Sequence, residues 1–324
     1  MVPQRLRTLV AGVADPGYTR DPALLRASRV ADRTGADLHV VHVFEEDPLY
    51  GYAAMPSWDP VGAATLPDPE GQEALRGLLL ERLRATAARV RPAGSTTCRV
   101  VAGSPAESLR WVGEQVGADL LVVGASHHGS LGQRFLGTTA GRVLRQAEVP
   151  VLVVRDASRP LPGARVLLAS DLSEASARAY RAGLRVAVDL CAGDTAALRC
   201  VLVLRPGPAL VPPLPVGTPH HVPEAGGSLA EPAASRLRDF IAAHTPHGLA
   251  VEDTIRVGDP AEEIAAEAAA WGADLVVLGT HGRAGLHRLL LGSVAEAVLR
   301  GSPCDALVVP SAATGDVPAS TAPA

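Results

Sequence analysis

The residues best placed to do chemistry lie near the C-terminal end, where Gly279 is followed by two residues and Gly282, then by nine residues and Gly292-Ser293. They come after Leu275-Val276-Val277-Leu278, a wholly apolar run of the kind that a strand buried on both faces shows. They lead into Val294-Ala295-Glu296-Ala297-Val298-Leu299, which is apolar at helical period. Glycines suit backbone that must approach a ligand closely or take positive φ. A helix opening at Gly292-Ser293 would aim unpaired N–H groups and the positive end of its dipole at an anion. The chemistry is therefore capture of a phosphate group by backbone, in a turn that also carries His281, Arg283 and Gly285.

Composition narrows the field. The chain has 324 residues, 47% of them hydrophobic, enough for two domains of ordinary size. A net charge of −4 and a pI near 6.2 argue against a nucleic-acid surface. All thirty basic residues are Arg, and there is no Lys. That excludes a Lys-bearing P-loop and a Lys nucleophile. The four cysteines, Cys98, Cys191, Cys200 and Cys304, form no CxxC pair and fit buried thiols in a reducing cytosol. No leader and no apolar span of membrane length is expected, which points to a cytoplasmic protein.

The elements that must position the turn occur twice. In the first half the expected order is strand Leu6 to Val13, helix from Asp21 to about Thr34, and strand Asp37 to Phe44. A long loop from Glu45 to Pro69 follows, then a helix from Gln72 to Val90 with Leu75, Leu78, Leu79 and Leu83 as its apolar stripe. Strand Thr97 to Val101, a helix opening at Gly103-Ser104-Pro105, strand Asp119 to Gly124, helix Thr139 to Ala147 and strand Val149 to Val154 complete the half. The second half repeats the series from Arg165, with its own long excursion, Pro206 to Glu231, before a helix from Pro232 to His244. Gly117-Ala118-Asp119-Leu120-Leu121-Val122-Val123-Gly124 reappears as Gly272-Ala273-Asp274-Leu275-Val276-Val277-Leu278-Gly279. Strand–helix alternation predicts an α/β fold of two tandem, doubly wound parallel sheets, with ligands beyond the C-terminal strand ends. The expected domains are 1–157 and 162–311, with 312–324 as a disordered tail.

The glycine spacing, with the strand before it, resembles the nucleotide-binding signature of the universal stress protein family, and the resemblance covers nearly the whole chain as two copies. It implies a Rossmann-like fold of the adenine nucleotide α-hydrolase type. It also implies a cofactor, ATP or a related adenine nucleotide, with Mg2+ as an accompanying ion. Ala169-Ser170-Asp171-Leu172 resembles the end of the family's first strand, whose Asp and neighbouring backbone meet the adenosine. Val203 matches the position that lines the adenine, and Gly279, His281, Gly282, Arg283, Gly292, Ser293 and Val294 match the phosphate side. Asp171 has two open readings, nucleoside acceptor or cap of the following helix. Gly12, Val43, Gly124, Gly137 and Thr138 form the corresponding but weaker site of the first half. There His127 stands in place of the second glycine, His128 in place of Arg283, and Val13 falls where Asp171 sits.

Other constellations carry less. The histidine pairs lack a metal-ligand pattern, and Ser293, His281 and Asp171 lack the elbow of a hydrolytic triad. The expected role is regulatory or protective adenine-nucleotide binding, chiefly in the second half. A slow ATPase in the same pocket and a nucleotide-free interaction module are the alternatives. The resemblance further implies that the strands Val151 to Val154 and Ala306 to Val309 pair within the chain, as a pseudo-dimer, and leaves a further homodimer open. Neither a nucleic acid nor a membrane is expected as a partner.

Overall fold

The computed structural model describes residues 6–44, 69–125, 136–159, 161, 163–191, 197–205, 227–280 and 291–310. In the first half the apolar runs and the helical periods become β1 (Thr8–Val13), α1 (Pro22–Thr34), β2 (Asp37–Phe44), α2 (Pro69–Val90), β3 (Thr96–Ala102), α3 (Pro105–Val116), β4 (Leu120–Gly124), α4 (Thr138–Gln146) and β5 (Val151–Val154). The second half follows with β6 (Val166–Ser170), α5 (Glu174–Leu190), β7 (Leu198–Leu204), α6 (Gly227–His244), β8 (Val251–Val257), α7 (Pro260–Trp271), β9 (Leu275–Gly279), α8 (Ser293–Gly301) and β10 (Asp305–Val309).

All ten strands form one sheet in the order β3-β2-β1-β4-β5-β10-β9-β6-β7-β8. Every neighbouring pair is parallel except β5 and β10, which run antiparallel with Ala306 opposite Val153, Leu307 opposite Leu152 and Val308 opposite Val151. The expected pairing of the last strands thus lies inside one chain, and it relates the halves as a pseudo-dimer. Strand order reverses between β1 and β4 and again between β6 and β9, as in doubly wound sheets. Alternate strand residues feed two cores. Leu152 and Leu307 face the side covered by α1, α2, α5 and α6, whereas Val151 and Ala306 face the side of α3, α4, α7 and α8. Both cores run unbroken across the seam between β5 and β10.

The repeated Gly-Ala-Asp explains itself here. Gly117 and Gly272 end α3 and α7 in the left-handed conformation, at φ 62° and 69°, where a side chain would be strained. Ala118 and Ala273 are buried. Asp119 accepts hydrogen bonds from the amides of Arg7 and Thr8, and Asp274 from that of Arg165, so each clamps the start of its half's first strand.

Three expectations need correction. Helix α2 starts at Pro69 rather than Gln72, and of its expected stripe only Leu79 and Leu83 face the core. Leu75 and Leu78 are exposed, and the buried face runs instead through half-buried Leu79 to Leu83 and Ala87, where the helix lies over β3. Helix α6 starts at Gly227, five residues before the proline expected to open it, so Pro232 lies within the helix. The long loop from Glu45, most of the excursion from Pro206, and the tail 312–324 lie outside the described residues.

The connection between the halves is packed rather than free. Ala157, Leu161 and Ala164 are buried in the core on the α1 and α5 side. Beneath them Arg26 of α1, only 2% exposed, donates from Nη1 to the carbonyl of Arg159 (2.6 Å) and from Nη2 to that of Asp156 (2.8 Å). The same guanidinium lies 2.8 Å from the equally buried Asp305 at the start of β10. Burial pushes the Asp305 carboxyl up, and Arg26 with the amides of Arg155 and Asp156 opposes that shift. The four cysteines are free; burial pushes the thiols of Cys191 and Cys304 up to about 11 and that of Cys200 up to about 12, so they are inert at neutral pH.

Candidate functional site

The site is built at the C-terminal ends of β6, β7 and β9. At the end of β6 the buried Ser170 hydroxyl lies 2.7 Å from that of Ser176 and accepts from the amide of Leu172 (3.1 Å). Asp171 Oδ1 accepts from both the amide (3.0 Å) and the hydroxyl (2.6 Å) of Ser173. Ser173 Oγ in turn accepts from the amide of Ser176 and caps α5. Of the two readings open for Asp171, capping is therefore done by Ser173, and Asp171 holds the cap. Between them Leu172 has φ 62°, the one positive φ among the described residues other than glycine. Leucine there costs about 1–2 kcal/mol, sustained because the bonds on either side fix the turn.

The wall of the site is apolar. Ala169 of β6, Val203 of β7 and Val294 of α8 are each partly buried against the core that includes Leu278, Leu291 and Ala295. Three residues predicted from separate stretches thus share one face of the sheet. Val203 lies beside Arg256 of β8, whose guanidinium meets the buried carboxylate of Glu267 on α7. Glu267 also accepts from Arg199 (2.8 Å), which stacks over Trp271 at 4.4 Å. Burial alone would push the Glu267 carboxyl up, but the two guanidinium groups outweigh it and hold the carboxyl below its usual range.

The phosphate-side turn is closed by backbone. After Gly279 the amide of Thr280 donates to the carbonyl of Val309 (3.0 Å), and the amide of Gly292 returns to the carbonyl of Thr280 (2.8 Å). The chain therefore leaves and re-enters at one point beside the strand end. Gly292 is the N-cap of α8 in an extended conformation, and no side chain caps the amides of the first turn. Those orphan donors and the helix dipole favour an anion in front of Ser293 and Val294. His281, Gly282, Arg283 and Gly285 lie outside the described residues.

The first half repeats the frame. The amide of Ala125 donates to Val154 and that of Gly137 to Ala125, and Gly137 is an extended N-cap of α4, ahead of Thr138, again without a side-chain bond. Gly124 ends β4 as Gly279 ends β9, and Val43 occupies on β2 the place of Val203. Leu9 pairs with Leu120 as Val166 pairs with Leu275, so Gly12 corresponds to Ala169 and Ala14, not Val13, to Asp171. Gly12 is set by packing: a Cβ there would lie 2.7 Å from Cδ1 of Leu109 on α3. The turn that follows is five residues longer, running from Ala14 to Arg20 before the cap Asp21. Within that turn Asp15 accepts from the amide of Gly17 (2.7 Å) and faces Arg82 of α2. His127 and His128 lie outside the described residues.

A doubly wound pair of half-sheets, each with an uncapped helix opening at a glycine-closed turn, defines a tandem α/β protein. The family model of the universal stress protein family matches twice, over residues 6–155 and 164–310. This chain belongs to the universal stress protein family. Universal stress protein Rv2005c of Mycobacterium tuberculosis is 28% identical over 307 residues, which span 93% of this chain and 96% of that one. Universal stress protein MJ0577 of Methanocaldococcus jannaschii is 37% identical over 86 residues, 26% of this chain and 53% of its own length. For MJ0531 of the same organism, 47% identical over 62 residues, the match covers 36% of its length. The fold is shared with the Pseudomonas aeruginosa protein PA1789, described as functionally unknown (TM-score 0.64, 20% identity, 94% of this chain and 93% of that one). A universal stress protein from Archaeoglobus fulgidus shares it too (TM-score 0.59, 18% identity, 94% and 98%).

Proposed function

We propose that this protein binds ATP or a related adenine nucleotide, chiefly in its second half, and serves a regulatory or protective role in the stress response rather than turnover. The observation that carries the reading is the uncapped N-terminus of α8, fixed by the bond from Gly292 to Thr280. It stands next to the apolar wall of Ala169, Val203 and Val294. An anion suits the helix end, and a flat base suits the wall. The rigid turn at Asp171 lies at the end of the adjacent strand, where the sugar would fall. Mg2+ accompanying the nucleotide would travel on its phosphates. In this reading the domains are 1–157 and 162–311, with 312–324 as a tail, and the protein works in the cytoplasm. No helix among the described residues is long and apolar enough to cross a membrane.

Mass spectrometry of small molecules released from freshly purified protein tests the reading, followed by titration with ATP, AMP and adenosine. Release of an adenine nucleotide, and tighter binding of ATP than of adenosine, is the expected result. Protein that carries none and binds none would end it.

A further inference from the structure

Helix α8 is gripped at its far end by the other half of the molecule. The side chain of Arg155, the residue after β5, donates from Nη2 to the carbonyl of Leu299 and reaches that of Arg300 at 3.4 Å. These are among the last carbonyls of α8, where a cation complements the negative end of the helix dipole. The backbone of Arg155 is fixed as well, since its amide donates to Asp305 Oδ1 (2.8 Å), and Asp305 meets Arg26 of α1. A chain of polar contacts thus runs from α1 through the seam to the C-terminal end of the helix whose other end forms the cradle. Among the described residues the first half shows no such device. By the register of the last strands, Pro310 stands where Arg155 does and Pro150 where Asp305 does. Proline offers neither a cation nor a carboxylate.

Helix α8 has nine residues, too few to be stable alone, so its two ends order as one cooperative unit. A cation on its last carbonyls and an anion on its first amides therefore stabilise the same object. We propose that Arg155 is a positioning residue for the second-half cleft. By holding α8 from the seam it sets how strongly the amides of Ser293 and Val294 bind phosphate groups, and so couples ligand binding in one half to contact with the other. By reciprocity, ligand in the cleft tightens the seam. The proposal rests on the adenine-nucleotide reading above.

The test compares Arg155→Gln and Arg155→Lys with the unmodified full chain. Titration calorimetry would use ATP and adenosine, and hydrogen exchange would follow the amides of residues 155–158 with and without ATP. Arg155→Gln should weaken ATP about fivefold and adenosine less than about twofold, while Arg155→Lys should restore most of the ATP affinity. In the unmodified protein ATP should slow exchange at the amides of Arg155 and Asp156. Equal loss for ATP and adenosine, with a lowered melting temperature before any ligand is added, would reduce Arg155 to a structural role and overturn the proposal. So would unchanged ATP affinity in Arg155→Gln. Failure of the unmodified protein to bind ATP at all would remove the nucleotide reading and this coupling with it, an outcome distinct from binding without coupling.

Discussion

The two halves share a backbone frame and differ in the side chains that exploit it. Both close the turn after their fourth strand with the same pair of backbone hydrogen bonds and open the next helix on an uncapped glycine. They part at the end of the first strand. The second half makes a tight turn through Leu172, wired by Ser170, Asp171 and Ser173, whereas the first makes a longer one in which Asp15 bonds to its own turn. They part again at the seam, where Asp305 corresponds to Pro150 and Arg155 to Pro310, and under the outer strands. There Glu267, Arg199 and Arg256 take the places of Val112, His39 and Val101. The same backbone bonds are thus present in both copies, and the side chains around them differ.

The largest expected difference concerns the seam. Asp305→Ala leaves Arg26 buried without its partner, and such a loss costs about 3–5 kcal/mol. Pro150→Ala, at the matching position, should cost far less because no charge depends on it. Replacing both partners by apolar residues, Arg26→Met with Asp305→Leu, should recover most of the stability. Denaturant unfolding of the three variants checks this, and a mild effect of Asp305→Ala would mean that the seam tolerates an unpaired cation.

Next comes Glu267. Removing its charge with Glu267→Gln should cost about 1.5–3 kcal/mol at pH 7, the range for hydrogen bonds to charged groups, since two guanidinium groups depend on it. Its pKa in the folded protein is held below the unfolded value. The stabilisation is thus present above the unfolded pKa, about 4.3, and is lost as pH falls through the folded one. Unfolding curves of wild type and variant should draw together as pH falls below the unfolded value. Val112→Ala, in the first half, should show a penalty independent of pH, and a Glu267 penalty that stays constant to pH 3 would contradict the pairing.

The cradles themselves can be compared with one substitution made twice. Aspartate at an N-cap bonds to the free amides of the first turn and places a negative charge there. Gly292→Asp should leave the fold as stable or slightly more so, yet weaken ATP at least about tenfold and adenosine much less. Gly137→Asp should stabilise alike and change ATP binding little. Calorimetric titration giving equal losses from both changes would show that the halves bind alike.

What could be read from the residues was the frame, and what could not was whatever depends on distant partners. Gly-Ala-Asp, twice present, marked the repeat, but the strand that each Asp clamps lies more than a hundred residues away along the chain, so the clamp could not be read from the motif. The apolar runs gave the strands nearly to the residue, and Ala169, Val203 and Val294 do come to one face. The wiring of Asp171 was half legible: the carboxylate beside a helix start was visible, but that Ser173 would be the cap depended on Leu172 taking a conformation no leucine advertises. The apolar stripe of α2 was misread because Leu75 and Leu78 obey the helical period but lie on a turn that nothing among the described residues buries. Arg26 and Asp305 look like surface charges in the sequence, and only the folded seam makes them a buried pair.

The smallest predicted effect bears on the turn that separates the halves most clearly. Glycine normally destabilises relative to alanine, by about 0.5–1 kcal/mol, because it has more freedom to lose on folding. At a left-handed position the sign reverses, since the Cβ of alanine then costs about 1–2 kcal/mol and glycine costs nothing. Leu172 has φ 62°, whereas Ala14, which stands where Asp171 does and opens the first half's turn, has no positive φ. Leu172→Gly and Leu172→Ala both lose the packing of the leucine side chain, so their difference isolates the backbone. Leu172→Gly should therefore be more stable than Leu172→Ala by about 1 kcal/mol, and Ala14→Gly should be less stable than wild type by about the same amount. Thermal unfolding of the three variants measures both differences. A Leu172→Ala protein that outlasts Leu172→Gly would mean that the turn relaxes once the leucine is gone, and that the serine and aspartate bonds around it do not fix its shape.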